Sequence, residues 1–157
     1  MDAADGSVND SVMIALLPVS TDWSKVDLPH LTLVYAGKKN DLKPTDFSNL
    51  AKDASSLALL SSPQYLTVAA TEQFGPPGEQ VTAFRFQPTV ELWAMRRFID
   101  KWNKSEFPFN PHTTIGPAMT GPLDFVPRVI CFDRVYLGWG EDNLTFSMTR
   151  GSRGMDY

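Results

Sequence analysis

The run Val12 to Val19 (VMIALLPV) is short, apolar throughout and closed by Pro18 and polar residues, which suits a buried strand better than a helix. After a loop through Asp22 and Asp27, His30 to Ala36 (HLTLVYA) sets Leu31, Leu33 and Tyr35 against His30, Thr32 and Val34. That is the period of a two-faced strand and predicts His30 and Thr32 on one face. From Pro44 to about Leu60 the positions Phe47, Leu50, Ala54 and Leu57 follow helical spacing, and Pro44 fits a first turn where its missing N–H is not needed. Gln64 to Phe74 and Gln80 to Phe86 read as a hairpin about the turn Gly75-Pro76-Pro77-Gly78. Pro88 and Thr89 open a second helix with Leu92, Met95, Ile99 and Trp102 on one side and Lys101 and Lys104 at its C-terminal end. His112 to Ala118 is a further strand. Val129 to Trp139 and Leu144 to Thr149 are a last pair, joined by the turn Gly140 to Asn143.

This order, two strands and a helix twice over and then three strands, has a rough internal symmetry. Residues 1–11, rich in Asp, Gly and Ser, lack an apolar pattern and are expected to form a flexible tail before a single domain over 12–157.

The chain's 157 residues suffice for one ordinary core. Its 14 basic and 18 acidic residues give a net charge of −4, which excludes the basic excess used to hold long nucleic acid, although a few local cations could still bind one or two phosphates. The one cysteine, Cys131, cannot form an internal disulfide and is expected in the core. The longest apolar stretch is too short to span a bilayer and follows acidic residues rather than a cationic leader, so a cytoplasmic protein without membrane partners is expected.

The two histidines begin matching patterns, Pro29-His30-Leu31-Thr32-Leu33 and Pro111-His112-Thr113-Thr114-Ile115. With ordinary composition both would match by chance in about one chain in 600. On a strand the imidazole and the hydroxyl two residues later share a side. Two such strands across a groove can hold one phosphodiester between an imidazole that accepts a proton and one that donates it, with Thr32 and Thr114 donating to nonbridging oxygens. No Cys cluster, HExxH or Asp-rich loop accompanies the histidines, so neither a metal nor a cofactor is assigned.

On these motifs and the element order, the sequence resembles the 2H phosphoesterase superfamily of RNA ligase-like proteins, cyclic phosphodiesterases and phage anti-CBASS nucleases. The resemblance implies an α+β, pseudo-symmetric, two-lobed fold in which antiparallel sheets line a central groove with helices outside. It implies metal-independent catalysis by His30, Thr32, His112 and Thr114. His30 to Tyr35 (HLTLVY) also resembles the first motif of phage enzymes that degrade cyclic oligonucleotide signals, where the tyrosine lies near the site. Thr113 departs from the family, which more often has an aliphatic there.

Base recognition needs aromatic faces, and Tyr35, Phe74, Phe107, Phe109 and Trp139 lie at motif ends or turns. Most of these are expected in the core; Tyr35 and Trp139 are the stacking candidates, and Arg85, on a strand, is a candidate for a phosphate or equally for a solvated or salt-bridged position. Arg96 and Arg97 read as a solvated helix face. The expected partner is a small nucleotide or oligonucleotide: a cyclic oligonucleotide signal, a 2′–5′ linkage or a 2′,3′-cyclic phosphate. The rivals are a noncatalytic nucleotide- or RNA-binding module of the same fold, and a structural protein in which the motifs are accidental.

Overall fold

The computed structural model describes residues 10–119, 123 and 125–149. The tail expected over 1–11 lies outside these as far as residue 9, and β1 already begins at Ser11. The strands are β1 (Ser11–Pro18), β2 (Leu31–Lys38), β3 (Gln64–Phe74), β4 (Val81–Phe86), β5 (His112–Pro117), β6 (Val129–Trp139) and β7 (Asp142–Ser147). The helices are α1 (Pro44–Leu60) and α2 (Val90–Ile99), and a short 3₁₀ turn (Asp100–Trp102) replaces the last turn expected of the second helix.

Both helices start where local chemistry dictates. Pro44 stands in the first turn of α1, and Asp46 accepts a 2.9 Å bond from the Lys43 amide. Thr89 caps α2 by accepting from the Leu92 amide at 3.0 Å. Leu50, Ala54 and Leu57 of α1, and Leu92, Met95 and Ile99 of α2, are buried against the sheet.

All the strand pairings are antiparallel, in the order β1-β2-β5-β4-β3-β6-β7, and β6 also pairs with β1. The first residues of β6, Val129 to Phe132, extend the β3-β4-β5 lobe, while Phe132 to Trp139 pair with β1 in the other lobe. On the opposite side the lobes meet at a single register pair between β2 and β5, Leu31 with Thr113. This is the antiparallel, two-lobed α+β arrangement expected.

Alternation along β6 buries Ile130 and Phe132 and turns Cys131 outward, so this residue is not in the core as expected. Cys131 is half-buried beside the Tyr65 phenol, and burial pushes its thiol pKa up.

Thr113 is fully buried at the junction, and its Oγ1 has no hydrogen-bond partner among the described residues. A buried hydroxyl without a partner costs about 1–3 kcal/mol. Thr113→Val keeps the shape and removes that cost, so it is expected to stabilise the fold by up to about 1–3 kcal/mol, read as a higher urea midpoint at unchanged m-value. A destabilised variant would mean that the hydroxyl has a partner, such as a bound water.

Candidate active site

Leu31 and Thr113 both point into the core and are directly paired. Continuing that antiparallel register by one step sets Thr32 opposite His112 and His30 opposite Thr114, on the other face, where all four are half-buried. Directly opposed residues have Cβ atoms about 4.5–5.5 Å apart. The two motifs predicted from sequence thus lie at the junction of the lobes, where the charge of His112 is near enough to act on His30.

Both imidazoles are held in the same way. His30 Nδ1–H donates to the Leu28 carbonyl at 2.9 Å, and His112 Nδ1–H to the Asn110 carbonyl at 2.7 Å. A carbonyl can only accept, so the proton of the neutral ring is fixed on Nδ1 and Nε2 keeps its lone pair. The intervening residue is a buried proline in each case, Pro29 or Pro111. Proline fixes its own φ and restricts the residue before it to extended backbone, which sets the carbonyl's position relative to the ring. Proline before histidine is therefore part of the motif's physics. Burial lowers the His30 pKa; the Leu28 carbonyl opposes this, and the nearby charge of His112 adds to the lowering.

An imidazole whose native pKa is lowered binds its proton less tightly than in the unfolded chain, where it titrates near 6.5. Its contribution to stability is complete above that value and is lost as pH falls through the native pKa below it. Denaturant midpoints taken from pH 7.5 to 5 are expected to fall on the acid side, and His30→Gln is expected to flatten that limb. A limb unchanged in His30→Gln would assign it to carboxylates instead.

A cleft of about 770 Å³ opens on this face, with Thr32 and His112 on its wall. Tyr35, Phe74, Phe107 and Phe109 supply aromatic surface, and Phe107 is 82% exposed. Phe74 stacks on the His112 ring at 4.8 Å between centroids and 27° between planes. The rim after α2 is tied to β2 by a 2.7 Å bond from the Lys104 amide to the Tyr35 carbonyl.

The remaining predicted residues fall in different places. Tyr35 does line the cleft, although the plain alternation put it on the face away from His30. A bulge pairs Ile14 with Val34 and Ala15 with Thr32, leaving Leu33 as an extra residue, so Leu33 and Val34 are both buried and the phase reverses. Arg85 stands beside His112 in register, and its guanidinium is paired with Glu72 at 3.1 Å. Trp139 is not among the cleft residues; it packs on Phe47 and against the core. Arg96, read from sequence as a solvated residue, has a side chain only 11% exposed and lines the cleft. Tyr136 has no motif to mark it in the sequence: Thr32, Ala15 and Tyr136 are successive cross-strand partners, which puts the phenol on the face of the histidines. Its half-burial between Val135 and Leu137 was legible only as strand alternation.

Among the described residues no cluster of three or more His, Cys, Asp or Glu is placed to hold a metal, and no helix is long and apolar enough to cross a membrane.

The same architecture occurs in solved structures. Escherichia coli LigT in complex with 3′-AMP superposes with a TM-score of 0.59 at 16% identity, over 90% of this chain and 99% of that one. The chain has the 2H phosphoesterase fold. The Thermus thermophilus protein TT0787 matches with a TM-score of 0.56 at 15% identity, covering 88% and 97% of the two chains. Kluyveromyces marxianus Usb1 matches with 0.55 at 9% identity, covering 88% and 98%. No family model and no curated protein matches the sequence. At such identities it is the backbone plan of the 2H phosphoesterase fold that is shared, and the chemistry must be argued from the site.

Proposed function

We propose that this protein cleaves a phosphodiester in a small nucleotide or oligonucleotide by acid–base catalysis between its two histidines, without a metal or other cofactor. The observation that carries the reading is the identical anchoring of the two rings, each Nδ1–H spent on the carbonyl two residues back and each Nε2 left for chemistry. A structural histidine needs no such duplicate across a groove.

With its pKa lowered by burial, His30 is neutral at pH 7 and suits the base, removing a proton from the attacking oxygen. His112 then serves as the acid and protonates the leaving oxygen. Among the described residues Thr32 Oγ1 donates to Met13 Sδ alone, at 3.8 Å, a weak acceptor that a phosphate oxygen would displace. Attack by water opens a 2′,3′-cyclic phosphate or hydrolyses a linkage; attack by an adjacent ribose 2′-OH leaves a 2′,3′-cyclic end. Nucleotide substrates are supported by the aromatic cleft and by LigT structures that contain 3′-AMP, ATP and NADP+. The HLTLVY stretch favours one version, a phage protein acting in the host cytoplasm on cyclic oligonucleotide immune signals; processing of RNA ends or 2′–5′ linkages is the competing version.

The test is product analysis in excess EDTA on 2′,3′-cyclic nucleotides, 2′–5′ dinucleotides and 3′–5′ cyclic di- and trinucleotides, with His30→Ala and His112→Ala as controls. Consumption of one class by the wild type, spared by both folded variants, is expected. Binding of the panel without turnover would replace the reading with a noncatalytic nucleotide-binding module.

A further inference from the structure

The cleft is far larger than one phosphate needs, and its charge is one-sided. The protein is acidic overall, yet the described residues lining the cleft include no Asp or Glu, and their only permanent cation is Arg96. Arg96 reaches the cleft from α2, whereas Thr32 stands on β2, His30 immediately before it, and His112 and Thr114 on β5. Two contacts hold its guanidinium in place. Nε pairs with Asp100 Oδ1 at 3.1 Å one helical turn on, and the guanidinium carbon lies 4.9 Å from the centre of the Phe109 ring. Phe109 is in turn braced edge-on by Trp93 at 5.2 Å. The terminal guanidinium nitrogens make no hydrogen bond among the described residues. A nearly buried arginine with its fork free, on an aromatic wall, is preorganised for a phosphate's paired oxygens.

Resting on the reading above, we infer that Arg96 anchors a second phosphate of the substrate, so that the preferred substrate carries a phosphate beyond the scissile one, with a nucleoside between them along the aromatic wall. The scissile phosphate has its own partners at the junction of the lobes, two imidazoles and two hydroxyls. A second anion would take the terminal nitrogens of Arg96, which its pairing with Asp100 through Nε leaves open. Phe107, exposed at the rim and oriented by a 3.2 Å bond from its amide to Ser105 Oγ, offers its ring to the intervening base.

The experiment compares matched pairs that differ by one phosphate: adenosine 2′,3′-cyclic phosphate with its 5′-phosphorylated form, and the dinucleotide ApA with pApA and ApAp. The quantity read is the ratio of kcat/KM with and without the added phosphate, which cancels any general loss of activity or folded protein. A charge-assisted pair of hydrogen bonds predicts a ratio of about 10–100 for the wild type in at least one pair, falling to about 1 in Arg96→Met and lying between in Arg96→Lys. A wild-type ratio near 1 in every pair, or one that survives in Arg96→Met, overturns the inference. If Arg96 only braces the cleft wall or touches the scissile phosphate, both members of a pair lose alike and the ratio persists. Calorimetric affinities of the same pairs for the His112→Ala protein give the ratio without turnover, so equal affinities sink the second-phosphate site even where no cleavage is seen. Absence of cleavage alone counts against the histidine mechanism.

Discussion

His30→Ala and His112→Ala are each expected to lower kcat on the cleaved phosphodiester by about 10²–10⁴-fold, the range that one positioned proton carrier contributes. The double variant is expected to lose much less than the product of the two, because both imidazoles act in the same transition state. Neither change should unfold the protein: both side chains are half-buried, and each gives up a single hydrogen bond to a carbonyl, worth about 0.5–1.5 kcal/mol. The roles can be separated by the leaving group. A diester that expels a nitrophenolate needs no protonation, so it should restore much of the activity of His112→Ala and little of that of His30→Ala. The acid limb of kcat/KM should lie below 6.5, because His30 becomes protonated, and useless as a base, only beneath its lowered pKa. The opposite pattern of rescue would exchange the two roles, and equal activity of both variants with the wild type would remove the mechanism.

Much of this arrangement was legible in the sequence because strand period and motif spacing are local. The strands at 12–18 and 31–36, the helix from Pro44 to Leu60 and the hairpin about Gly75 fall where their patterns put them, and Gly75 and Gly78 take positive φ of 108° and 87°. What escaped depends on distant partners. The bulge at Leu33 is imposed by pairing with β1, and either phase of HLTLVYA alternates acceptably, so plain alternation puts Tyr35 on the face opposite to the one it takes. Trp139 sits at a glycine turn, as supposed, but a turn does not say which end of a closed sheet it occupies; here Phe47 of α1 covers the indole. Arg96 and Asp100 stand at helical i, i+4 spacing, which reads as a surface pair until the rim residues 103–110 fold over it. Phe74 meets His112 although Ala70, four residues earlier, is the β3 residue in line with Arg85 and His112, so the contact spans the face of the curved sheet and has no sequence signature.

The residue beside His30 is expected to behave in the opposite way. Leu31 is fully buried, pairs with Leu16 on one side and Thr113 on the other, and is half of the single register pair that joins β2 to β5. Leu31→Ala removes apolar contacts where neighbouring strands cannot collapse without opening the junction, a loss of about 2–5 kcal/mol. For a chain of this size that lowers Tm by roughly 5–20 °C, whereas Leu31→Met, which nearly conserves volume, should cost less than about 1.5 kcal/mol. Thermal melts of the three proteins measure this directly, and a loss below about 1 kcal/mol in Leu31→Ala would show that the junction is loosely packed. If the packing at Leu31 also sets the distance between the motifs, folded Leu31→Ala should lose kcat at temperatures well below its Tm, and Leu31→Met should recover it. Positions 30 and 31 would then divide their labour by strand alternation alone: the outward residue moves the proton, and the inward one keeps the partner motif within reach.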